Sequence, residues 1–204
     1  MRAIQVLSDE HRLITEVLQA FELPMRLMEL KGRISKPLVG GLLDFAEQYA
    51  DHHHHRREEE LLIDRLRQAG LAEKGGAAQL VLQEHRMGRF RIARVRELLP
   101  AAAAGNGAET ARICELLRGY ACLLRCHVGM EERIFFPMVE NSLSRSARVE
   151  LERDFERTEE EANGGASAGE RLGRRLIRQA DRWTRRERPG SANANRQEAR
   201  LRAG

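Results

Sequence analysis

Asp51-His52-His53-His54-His55-Arg56-Arg57-Glu58-Glu59-Glu60-Leu61-Leu62-Ile63 decides the fold, because a second stretch echoes it: Cys126-His127-Val128-Gly129-Met130-Glu131-Glu132-Arg133-Ile134-Phe135-Phe136. Aligned on their first glutamates, both read His-x-x-x-Glu-Glu followed by an apolar run. The pairs are His54 with Glu58 and His127 with Glu131. Residues four apart on an α-helix share a face and lie about 6 Å apart along the axis. An imidazole and a carboxylate so placed point at one metal ion, and two such helices face to face supply a dinuclear site. His55 with Glu59 is the alternative register. His54 with Glu58 is preferred because it alone matches His127 and Glu131 relative to the apolar run.

A second repeat lies upstream of each copy. Glu10-His11-Arg12 recurs as Glu84-His85-Arg86. The spacing from His11 to His54 equals that from His85 to His127 to within one residue. Each half of the chain therefore offers a lone helical histidine, a connection and a His-x-x-x-Glu helix. The expected fold is all-α: an up-down-up-down four-helix bundle with pseudo-two-fold symmetry, its ligands meeting inside, and additional C-terminal helices.

Composition agrees. The chain has 204 residues, enough for one domain with its own core, with 4% aromatic and 32% charged residues. Leu, Ala, Arg and Glu dominate, which favours helix. The net charge is +4, but Lys31, Lys36 and Lys74 are the lone lysines and arginine is interleaved with glutamate. That pattern reflects compositional bias rather than a nucleic-acid surface. No stretch is apolar enough for a signal peptide or a membrane span. Cys114, Cys122 and Cys126 fall on one predicted helix and are read as small core residues, not a disulfide framework. A cytoplasmic location is the expectation.

Ser8 is placed as the cap of a first helix carrying Leu7, His11, Ile14, Leu18, Phe21 and Met25 on one face, with a kink at Pro24. Ser35-Lys36-Pro37 opens a second helix that runs to Gly70. The third follows Gly75-Gly76 and is expected to end at Pro100, with Ala101 to Gly107 as a flexible connection. The fourth spans Glu109 to Phe136, with Pro137 near its end. Antiparallel order then puts His11, His54, His85 and His127 at one level. Ser146 to Ala162 reads as an acidic helix, Asn163 to Ser167 as a hinge, and Glu170 to Arg186 as a basic helix with Leu172, Leu176, Ala180 and Trp183 along one side. The basic helix is read as a packing or dimer element, so a homodimer is one expectation. The domain reading is residues 1–162 for the bundle and acidic helix, 163–188 for hinge and basic helix, and 189–204 for a disordered tail.

Four imidazoles and two carboxylates suit iron, manganese or zinc. His11 and His54 are assigned to one ion and His85 and His127 to the other, with Glu58 and Glu131 bridging. Supporting residues are expected one or two turns away: Thr15 after His11, Arg89 after His85, and Tyr120 before His127 on nearly the same face.

The sequence resembles the bacterial hemerythrin-like family of histidine–histidine–glutamate cation-binding domains. The resemblance rests on Glu10-His11-Arg12, His54-His55-Arg56-Arg57-Glu58-Glu59, Glu84-His85-Arg86-Met87-Gly88-Arg89, and His127-Val128-Gly129-Met130-Glu131 leading to Phe136-Pro137. It implies a non-haem centre of two iron ions bridged by both carboxylates and an oxo or hydroxo group. Oxygen-carrying relatives place a further histidine one turn after the third-helix histidine, where this chain has Arg89. The fifth histidine is therefore expected to be missing, which argues against reversible oxygen carriage. The functional expectation is a protein that binds or senses O2, NO or peroxide. The alternatives are a catalase- or peroxidase-like di-iron oxidoreductase that disproportionates hydrogen peroxide, and an iron donor or store in oxidative or nitrosative stress repair. No nucleic-acid or membrane partner is expected.

Overall fold

The computed structural model describes residues 1–71, 76–161 and 165–187, and among these there is no strand. α1 (Arg2–Lys31) buries Leu7, Ile14, Leu18, Phe21, Met25 and Met28 at helical spacing, and Gly32 closes it in the left-handed region at φ 58°. Ser8 lies inside α1 rather than at its start, and its hydroxyl donates to Glu132 at 3.0 Å.

Ser35 precedes α2 (Lys36–Phe45), whose first turn holds Pro37. The helix then widens into a π-helical stretch, Ala46–His55, and again at Glu58–Ile63, before α3 (Asp64–Gln68). The residues at the joins, Ala46, Arg56 and Asp64, keep helical backbone angles, so the four pieces form one rod that ends at Gly70.

α4 (Ala77–Ala103) passes through Pro100, where the sequence placed its end. Leu99 and Ala102 are buried on either side of the proline, and their burial offsets the lost backbone hydrogen bond. The flexible connection shrinks to a turn around Gly105, at φ 101°. The Asn106 side chain caps α5 (Gly107–Met130), accepting from the amides of Ala108 and Glu109. This fourth rod also overruns its expected stop. It continues through a π-helical stretch, Glu131–Phe135, into α6 (Phe136–Ser142), where Pro137 sits in the first turn. The rod continues past Pro137 because Phe136 and Val139 on either side of it are buried, which offsets the backbone hydrogen bond it cannot make.

The four rods form an antiparallel bundle with two apolar cores separated by a polar layer. One core holds Leu13 to Met28 of α1, Leu38 to Ala50 of the second rod, Ile92 to Ala102 of α4 and Ile113 to Leu124 of α5. The other holds Ala3 to Leu7, Leu62 to Leu66, Ala78 with Val81, and Phe135 to Leu143. On every rod the histidines and acids fall between these two sets, so burial alone sets their level.

Two C-terminal helices cover one side. α7 (Arg145–Glu161) buries Leu151 and Phe155 in the second core, and Arg65 ties it down through Glu150 and Asp154, both at 2.6 Å. α8 (Gly165–Glu187) lies along α1 and α2, with Leu176 and Ala180 buried in the first core and Leu172, Ile177 and Trp183 half-covered against it. Glycines permit this approach: a methyl group at Gly41 would meet Leu176 at 2.6 Å. The expected hinge is replaced in part, since Gly165 to Ser167 begin α8; Asn163, Gly164 and the tail at 189–204 lie outside the described residues. The cysteine reading is corrected for two of three. Cys114 is buried in the core, whereas Cys122 and Cys126 are exposed. No described helix is long and apolar enough to cross a membrane.

Candidate metal centre

The polar layer brings together His11, His54, Glu58, His85, His127 and Glu131, all at most 2% exposed. Ligating atoms of His11, His54, Glu58 and Glu131 lie within 4.8 Å of one another, as do those of Glu58, His85, His127 and Glu131. The two quartets share both carboxylates. Glu58 turns one oxygen toward His54 Nε2 at 3.6 Å and the other toward His85 Nε2 at 3.3 Å. One Glu131 oxygen lies 3.2 Å from His11 Nε2 and 3.3 Å from His127 Nε2.

A residue set aside in the sequence joins them. His55 is 3% exposed and groups with His85 and His127, its ring stacked 3.9 Å from that of His85. A fifth histidine therefore lies in the cluster, and it comes from the second helix rather than from the position of Arg89. Adjacent residues on an α-helix diverge by about 100°. The π-helical stretch ending at His55 alters that phase, and both His54 and His55 face the interior. The run His52 to His55 carried this possibility, but no sequence signal marked the widened turn.

Every histidine of the layer is held from outside by an acid. His11 Nδ1 donates to Glu132 at 2.7 Å, His54 to Glu10 at 2.8 Å, His85 to Glu59 at 2.7 Å and His127 to Glu84 at 2.9 Å. The pattern is a closed ring: each helix orients the histidine of the next with a carboxylate beside its own inward residue. This explains the doubled Glu-His-Arg and Glu-Glu pairs. In Glu58-Glu59 and Glu131-Glu132 the first acid faces the layer and the second holds a neighbour's imidazole. The repetition was visible in the sequence; the roles of Glu10, Glu59, Glu84 and Glu132 were not assigned. His55 is held more loosely, with Nδ1 3.5 Å from Asp51.

The supporting candidates divide. Arg89 points away from the layer and bonds Asp51 at 2.8 Å and Glu59 at 2.6 Å, clamping the acids behind His55 and His85. Tyr120 is buried beside them, and burial keeps its hydroxyl protonated. Thr15 is half-buried in a surface groove with His11 and Glu132, and no hydrogen bond joins it to the cluster among the described residues. Arg57, unremarked in the sequence, is 6% exposed and paired with Glu10 and with Glu159 of α7.

The electrostatics call for a cation. A Nδ1 that donates to a carboxylate leaves Nε2 with a lone pair. His85 and His127 then face each other Nε2 to Nε2 at 3.1 Å, two acceptors with nothing between to bind. Nε2 of His11 and of His54, and all four oxygens of Glu58 and Glu131, are buried without a hydrogen-bond partner. Burial, then the neighbouring rings, holds His54 and His55 well below the ordinary histidine range. Burial, then Glu131, raises Glu58. His11 goes the other way; burial opposes its charge, but Glu131 and Glu132 outweigh it. Left alone, such a cluster is destabilising. Neutral imidazoles and paired carboxylates are the donor set that metal ions require.

Neither the curated proteins nor the solved structures contain a match to the chain. Residues 2–139, and again residues 76–202, match the hemerythrin HHE cation binding domain. The second match begins at α4, where the repeat read from the sequence begins. With a helical bundle, a buried histidine–carboxylate layer and a match across its length, the chain belongs to the hemerythrin HHE cation-binding family.

Proposed function

We propose that the protein holds two iron ions in this layer and uses them to bind or sense a small oxidant: O2, NO or peroxide. The carrying observation is the pair of quartets that share Glu58 and Glu131, with every inward donor atom either unpartnered or facing another acceptor. His11 and His54 would hold one ion; His85 and His127, with His55 as a further donor, would hold the other. When bound, such a pair supplies vacant coordination and one-electron redox change to a small ligand.

The chain's own groups set the conditions. Glu132, Glu10, Glu59 and Glu84 fix the tautomers of the four histidines and hold the rings in place without rearrangement. The apolar cores above and below keep bulk water out, which strengthens every charge interaction in the layer. His55 removes the argument that an unsaturated ion favours rapid peroxide turnover, and binding or sensing is preferred over catalysis on that ground. Iron analysis and an optical spectrum of the purified protein, under air and then with NO, test the reading. About two irons per chain and a ligand-dependent spectrum are expected; a chain that binds no iron overturns it. Oxygen evolved under excess peroxide separates a stoichiometric reaction from turnover.

A further inference from the structure

The layer is approached from two sides: a broad surface groove touches His11 and Glu132, and a smaller, more enclosed cavity touches His55. Between the second rod and α4 lies a cavity of about 100 Å³, lined by Asp51, His55, Gly88, Arg89, Ile92 and Tyr120. Of the five clustered histidines, His55 alone forms part of its wall. At roughly 30 Å³ per water in the liquid, it has room for about three small molecules the size of water. Arg89 is its one cationic lining residue among the described residues, and both Asp51 and Glu59 already occupy it. Glu47 and Asp51 add negative charge to the same wall. An anion would gain no free partner here. An uncharged molecule would meet apolar surface from Ile92 and the Tyr120 ring, with space beside Gly88.

We propose that this cavity is a binding chamber for a neutral ligand of two or three heavy atoms, and that the ligand reaches the cluster from the three-histidine side, past His55. The chamber exists because the position one turn after His85 is arginine, whose side chain turns outward to Asp51 and Glu59, and because Gly88 leaves the neighbouring turn without a side chain. A Cβ at Gly88 would lie 3.4 Å from the Tyr120 ring, an ordinary contact, so alanine fits there without displacing backbone. The proposal rests on the small-ligand reading above, and its test separates the two.

Crystals of the iron-loaded full chain pressurised with xenon should show xenon in the chamber, and Gly88→Val should lose it. Stopped-flow association of NO with the ferrous protein should fall about tenfold in Gly88→Val, with iron content unchanged. Azide, being charged, should associate at the same rate in both proteins. Gly88→Ala, which suits a helix better than glycine, should show a smaller slowing and covers the case in which valine disturbs folding. Three results would overturn the proposal: no xenon in the wild-type chamber, xenon lost with the NO rate unchanged, or NO and azide slowed alike. A protein that binds xenon there but takes up no iron would leave the chamber and refute the iron reading.

Discussion

The two halves of the bundle carry the same ligand pattern and differ in what lies behind it. The His11 and His54 side is tied down from behind: Arg57, 6% exposed, joins Glu10 behind His54 to Glu159 of α7, and α8 covers α1 and α2, while a surface groove reaches His11 beside Glu132. The His85 side is open: Arg89 is 39% exposed, the chamber lies beside it, and Leu80, Met87 and Phe90 of α4 face solvent. The two donor sets are alike in sequence, and α7 and α8, packed against α1 and the second rod, make their surroundings unlike. A symmetric sequence signal need not mean a symmetric site.

The comparison breaks most completely where the halves meet. Glu58→Gln keeps the shape of the shared residue but removes the charge that both quartets use, and iron content should fall below one per chain. His54→Ala and His127→Ala should each lose occupancy of one position and spare the other, as metal analysis with Mössbauer spectra would show. Equal loss in all three variants would mean that the halves are not separable.

Arg57→Ala comes next. It leaves Glu10 buried without its cation, and removing one partner of a buried pair costs about 3–5 kcal/mol. The unfolding midpoint should drop sharply, and the iron held by His11 and His54 should leave first on chelation. An unchanged melting temperature would show that α7 merely lies on the bundle.

Much of this was legible beforehand. Four rods and their order followed from apolar spacing and from the Gly and Pro signals, and the level of His11, His54, His85 and His127 followed from antiparallel packing. What local rules missed had a tertiary cause. Pro100 and Pro137 do not end their helices because buried neighbours carry the chain past them. His55 enters the layer through a π-helical turn, which no residue pattern announced. The outer acids were written twice in the sequence, yet a Glu beside a His reads locally as a solvated charge, and only the neighbouring helix gives it a role.

Gly169→Ala probes the cover that α8 lays over the His11 and His54 half. An added Cβ would collide with the ring of Tyr49, which in turn stacks on His53 at 5.3 Å. Overpacking of this kind costs about 1–3 kcal/mol. The expected result is a lower melting temperature, increased Trp183 accessibility to quencher, and iron content near that of the wild type. Loss of iron together with α8 docking would make the cover part of the site.

Arg89 should give the smallest change in stability. It is more than a third exposed, and its pairs with Asp51 and Glu59 are screened by water, so Arg89→Ala should cost less than about 1 kcal/mol. Its effect belongs instead to His55 and His85, whose supporting acids it clamps. Iron on the three-histidine side should exchange faster in Arg89→Ala, while the other ion keeps its wild-type rate. Arg89→Lys retains the charge but cannot bridge both acids with a planar fork, and should fall between the two. Arg89→His restores the imidazole that oxygen-carrying relatives have at this place. Because His55 is already there, it should not raise iron content and should resemble the alanine variant in exchange rate. A gain in iron retention on that side would mean that His55 is not a donor and that the fifth position is open after all.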